Sequence, residues 1–152
     1  MLRLLILAVA TAAALVPLPA GASPPSPVAG TFSVVTATTV STRTAGGNTF
    51  VTLDRTAALA GTFTGTTRDT VHLVMHRNGS TTVQGAGTCV CTIAGRSGTF
   101  AYRFTGSGVF PTSGSGHYVA GRGTGGLAGL HAQGPFSGDF TVSQLGGWYH
   151  FE

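Results

Sequence analysis

From Gly30 to Glu152 the apolar residues alternate with polar ones at a period of two, and nowhere do they recur at i, i+3, i+4, i+7, so the pattern predicts strands and almost no helix. GTFSVVTATTV sets Phe32 and Val34 on one face and Val35 and Ala37 on the other. TFVTLDRTAALAG sets Val51, Leu53, Ala57 and Leu59 against Phe50 and Thr52. In TVHLVMHRNGSTTVQ the alternation stops at Asn78-Gly79 and resumes beyond it, which predicts a hairpin closed by a two-residue type I′ turn, both central residues at positive φ. GTFAYRFTGSG places Phe100, Tyr102 and Phe104 in one aromatic row, and a row of that character faces a core.

Several short strands punctuated by glycine predict an all-β fold, and a closed antiparallel β-barrel of about eight strands fits better than a sandwich. Closure removes exposed edges, and glycines inside strands supply the bends that a small barrel needs.

The first residues depart from this pattern. Arg3 precedes the apolar run LLILAVATAAALV, which has the length of a signal-peptide core and is short for a bilayer span. Ala20, Gly21 and Ala22 then supply the small residues a signal peptidase accepts. The prediction is a signal peptide over 1–22, cleaved after Ala22, and a secreted or extracytoplasmic mature chain with no transmembrane segment. Residues 23–29, SPPSPVA, read as a disordered Pro/Ser tether, and 30–152 as one barrel domain.

Charge changes the picture mainly by its scarcity. Charged residues are 8% of the chain, every basic one is arginine, and the acids are Asp54, Asp69, Asp139 and Glu152. The arginines are scattered singly rather than clustered on one face, which argues against nucleic acid as a partner.

Three phrases, FTGTTRDT, TIAGRSGTFAYRFTGSG and GRGTGGLAGLHAQGPF, in this order and spacing, resemble the bacterial family DUF3224, a domain of unknown function. The resemblance covers roughly Gly30 to Glu152 and implies a closed barrel of the allene-oxide-cyclase type. It implies no activity, because the family has none established. The paired cysteines and the few carboxylates depart from the family's pattern, and the second departure weighs against acid-base chemistry.

GRGTGGLAGLHAQGPF holds six glycines in sixteen residues, and Gly121, Gly123 and Gly126 match G-x-G-x-x-G. A dinucleotide site needs that pattern between a strand and a helix. Here no helical period follows and Pro135 would break a helix, so the stretch reads as a tight connection between two late strands, with Leu127 and Leu130 turned inward as a plug. No cofactor is expected. His72 and His76 would lie about 13 Å apart on a strand and lack the glutamate of H-E-x-x-H, so no metal is expected there. No G-x-S-x-G occurs, and no catalytic residue is assigned. Cys89 and Cys91 flank Val90; in an exported chain they would pair, although residues i and i+2 of a strand stand roughly 6.5 to 7 Å apart, at the limit of disulfide geometry.

Asp54 and Arg55 point to opposite faces of one strand, so one charge enters the barrel and needs a partner or a ligand there. Asp54 is taken as the inward group. With Phe100, Tyr102 and Phe104 it forms the expected ligand-binding set. The function expected is non-catalytic binding of a small apolar or lipid-like molecule. The alternatives are a cyclase or isomerase acting on an unsaturated lipid-derived substrate, by analogy with the allene-oxide-cyclase barrel, and a structural interaction module of the cell envelope with a filled interior.

Overall fold

A computed structural model describes residues 23–152, and every regular element among them is a strand. The predicted leader, 1–22, lies outside the described residues. In chain order the strands are β1 (Ser26–Pro27), β2 (Gly30–Ala45), β3 (Asn48–Gly61), β4 (Thr64–Met75), β5 (Thr81–Ile93), β6 (Arg96–Val109), β7 (Ser113–Gly125), β8 (Leu130–Gly138), β9 (Val142–Leu145) and β10 (Trp148–Phe151).

All pairings are antiparallel, and β2 to β8 follow one another as neighbours. Short β9 pairs on one side with β8 and on the other with Gly30–Ser33 of β2, which completes a ring of eight hydrogen-bonded strands. Only the first residues of β2 take part in that closure. From Val35 to Ala45 it runs on, exposed, beside β3 alone.

Period-two alternation decides which side chains enter the ring. On β4 the buried positions are Thr67, Asp69, Val71 and Leu73, and on β5 they include Thr81, Val83, Cys89, Cys91 and Ile93. One buried cluster gathers Phe63, Ile93, Phe100, Tyr118, Leu127 and Leu130, and a second gathers Val71, Leu73 and Val83. Phe104 packs against both.

The glycine-rich stretch is a strand connection: β7 ends at Gly125, β8 begins at Leu130, and Leu127 between them is fully buried. Gly125 and Gly129 take φ of 61° and 75°, the left-handed region in which glycine costs nothing extra.

Two local expectations need correction. Residues 23–29 are not a disordered tether. Ser26 and Pro27 pair with Tyr149 and Trp148 of β10, Val28 is buried, and the Ser23 amide donates to the Phe151 carbonyl at 2.7 Å. Proline is tolerated because β1 is an edge strand and needs no ladder donor on its outer side. The β4–β5 hairpin exists, but its loop spans 76–80 and only Gly79 has positive φ, 86°. Asn78 acts through its side chain, accepting from the Ser80 amide at 3.0 Å and hydroxyl at 2.7 Å, an alternative way for asparagine to stabilise a turn.

Candidate functional site

On β3 the inward row is Val51, Leu53, Arg55, Ala57 and Leu59, so Arg55 is the charge that enters the ring. Asp54 is a correction to the expected site. It faces solvent, where its Oδ1 accepts a hydrogen bond from Thr70 Oγ1 at 2.8 Å.

The antiparallel register sets Asp69 of β4 directly opposite Arg55. The guanidinium donates twice, Nε to Oδ1 and Nη2 to Oδ2, both at 3.0 Å. The Tyr102 hydroxyl of β6 donates to the same Oδ2 at 2.7 Å. The Asp69 side chain is 0% exposed and that of Arg55 11%. The guanidinium also lies over the rings of Phe32 and Phe104, whose centroids are 5.3 and 5.5 Å from its carbon. A bidentate pair with a third hydrogen bond is the geometry in which attraction comes nearest to offsetting the loss of hydration. Burial, and after it the Asp69 charge, raises the pKa of Tyr102 far above the ordinary phenol value, so the phenol keeps its proton and acts as donor. Tyr118, its hydroxyl on the Gly146 carbonyl, is pushed up to about 12 by burial.

Beside this pair is a cavity of about 90 Å³, walled by Phe32, Phe63, Phe100, Tyr102, Phe104 and Phe136 and reached by Arg55 and Thr67. Its small size has a packing cause. Gly85 and Gly87 stand opposite Phe104 and Tyr102 across the β5–β6 pair, and a Cβ on Gly85 would meet the Phe104 ring at 2.5 Å. The Phe136 ring likewise lies over Gly116, 2.7 Å from a Cβ there. Aromatic rings thus take up the room the glycines leave. What remains falls below the roughly 300–1,000 Å³ usual for drug-sized ligands, so a whole long-chain lipid exceeds it.

Phe140, in the β8–β9 connection, covers one side of the cavity and packs on Phe110 at 5.1 Å between ring centroids. Asp139 fixes that connection. Its carboxylate accepts from the Thr141 hydroxyl and from the amides of Thr141 and Val142, and these bonds, the hydroxyl first, lower its pKa.

Of the expected set, Phe100, Tyr102 and Phe104 line the cavity together and Asp54 does not. In the sequence Arg55 stands out only as the counterpart of Asp54, and Asp69 and Thr67 do not stand out as site residues. Their signal was the inward row itself. His72 and His76 pair with Thr52 (3.1 Å) and Thr82 (2.9 Å) on exposed surface. Cys89 and Cys91 both turn inward, their Cα atoms 5.5 Å apart, closer than a flat strand allows, and their sulfurs in contact.

No protein-family model and no curated protein matches the chain. Among solved structures, a protein of unknown function from the DUF3224 family, from Shewanella oneidensis MR-1, has the same fold: TM-score 0.71, 19% identity, 85% of this chain and 99% of that one covered. It carries the family name that the three sequence phrases point to. At that identity the likeness is one of fold.

Proposed function

We propose that the chain is a member of the DUF3224 family, a closed eight-stranded barrel of the allene-oxide-cyclase type, and that it binds a compact apolar molecule in its interior without converting it. The observation that carries this reading is the aromatic cavity beside a neutralised ion pair. Apolar surface on nearly every side favours an apolar ligand, and a few fixed polar groups orient it. Asp69 is the carboxylate that the barrel buries, and its oxygens already accept three hydrogen bonds. It is poorly placed to take a substrate proton, which ranks the cyclase or isomerase reading second. A structural module with a filled interior would have no use for the cavity.

The test is an NMR titration of isotope-labelled protein with xenon and with cyclopentane, probes suited to a space smaller than the roughly 150 Å³ cavity known to take benzene. Saturable shifts at Phe100, Tyr102 and Phe104 are expected, with tighter cyclopentane binding in Phe104→Ala, where the lost ring enlarges the space. No saturable shift in either protein would favour the filled module.

Export with cleavage after Ala22 is part of the same proposal. The mass of protein recovered from outside the producing cell is expected to begin at Ser23 and to lack two hydrogens, for a Cys89–Cys91 bridge. A mass that retains residues 1–22 would refute the cleavage, and a gain of two hydrogens on the expected mass would refute the bridge.

A further inference from the structure

Thr67 is 4% exposed, lines the cavity, and its Oγ1 has no hydrogen-bond partner. It lies near enough to the Tyr102 phenol to oppose the rise in its pKa, yet completes no bond of ordinary geometry with it. A buried hydroxyl left unpaired is costly, so a site that keeps one has a use for it or tolerates the penalty. Arg55 raises the same question. Of the five N–H groups of a guanidinium, two are committed to Asp69, and the others make no hydrogen bond among the described residues. Thr67 and Asp69 are successive inward residues of β4, facing Ala57 and Arg55 of β3, so Thr67 and Arg55 occupy neighbouring positions on one patch of cavity wall.

We propose that this patch is the recognition point for a single uncharged oxygen, so that the cavity selects a compact ketone or aldehyde over a hydrocarbon of the same shape. The inference rests on the binding reading above and names its ligand class. The charges exclude the ionised alternatives. Asp69 already neutralises Arg55, so a ligand carboxylate would bring a second anion into a space of low dielectric beside the first. A ligand ammonium at this patch would meet the guanidinium, whose own carboxylate, Asp69, already accepts three hydrogen bonds. A carbonyl brings no net charge and still gains a bond from an ionised donor, which is stronger than one between neutral groups. Tyr102 does not compete for it, because its proton is given to Asp69. The rings of Phe32 and Phe104 beside the guanidinium require the rest of the ligand to be apolar.

Cyclopentanone, cyclopentane and cyclopentanecarboxylate, titrated separately into wild type and Thr67→Val, test this. Valine keeps the shape of threonine and removes a hydroxyl that completes no hydrogen bond in the fold, so the variant is expected to fold. Wild type is expected to bind the ketone about tenfold more tightly than the hydrocarbon, and the carboxylate more weakly than either. In Thr67→Val the ketone preference shrinks several-fold. The carbonyl stretch of bound cyclopentanone lies below its value in hydrocarbon solvent in wild type and moves back up in the variant. Equal affinity for ketone and hydrocarbon in wild type overturns the inference and leaves the binding reading intact, whereas failure of every probe to bind overturns both. A ketone preference unchanged in Thr67→Val, with no movement of the carbonyl stretch, overturns the role of Thr67.

Discussion

Arg55→Met is expected to cost the protein about 3–5 kcal/mol of stability, the usual result of removing one partner from a buried ion pair. Methionine fills much of the same space, so the loss comes from Asp69. Its carboxylate, 0% exposed, would keep only the Tyr102 hydrogen bond and no compensating charge. The double replacement Arg55→Met with Asp69→Leu removes both charges and is expected to recover most of the loss, since an apolar substitute for a buried pair is often neutral or better. Tyr102→Phe removes one bond and should cost about 1–3 kcal/mol, because the acceptor is charged. Urea unfolding of the four proteins measures this. If Arg55→Met falls within about 1 kcal/mol of wild type, then Asp69 is hydrated in the folded state and the pair is not a buried one. The magnitude matters because whole domains are stable by only about 5–15 kcal/mol.

The inward position of Arg55 was legible in the sequence. The alternation that sends Val51, Leu53, Ala57 and Leu59 to one face sends Arg55 with them, and Asp54 the other way. Choosing Asp54 set the chemical appeal of a carboxylate above the period. Asp69 was harder to see, since period two fixes a residue's face but not its neighbour across the sheet. That neighbour depends on the register of the β3–β4 hairpin, whose short connection follows Gly61 and puts Leu59 opposite Gly65 and hence Arg55 opposite Asp69. The aromatic row of β6 was readable from its spacing alone.

Cavity size was not readable, because it depends on side-chain direction. A count of glycines suggests empty space, but the Phe104 and Phe136 rings lean across Gly85 and Gly116 and fill most of it. Composition misled at the N-terminal end, where SPPSPVA has the makeup of a linker yet pairs through Ser26 and Pro27. Two residues of edge pairing and one buried valine leave no mark on composition.

Leu127→Ala is the second large effect expected, a loss of about 2–5 kcal/mol and a fall in melting temperature of roughly 10 °C. The turn that carries Leu127 is held by backbone bonds, Gly126 N to Ser97 O at 2.8 Å, Leu127 N to Thr124 O at 3.1 Å and Leu130 N to Leu127 O at 3.1 Å. These fix the backbone beneath the side chain, so it cannot sink inward to close a gap left by truncation, and the cost of a cavity depends on how far a site can collapse. Methionine in the same place keeps the volume and should cost less than about 1.5 kcal/mol. Leu127, Leu130 and Ile93 do not line the aromatic cavity, so on the proposed function Leu127→Ala, at a temperature where it is folded, should bind cyclopentanone as wild type does. Phe104→Ala, by contrast, is expected to change both stability and affinity, because its ring packs against both clusters and also walls the cavity. A Leu127→Ala protein that is as stable as wild type would mean that the glycine-rich turn yields and refills the space, and that the buried leucine does not plug the ring of strands.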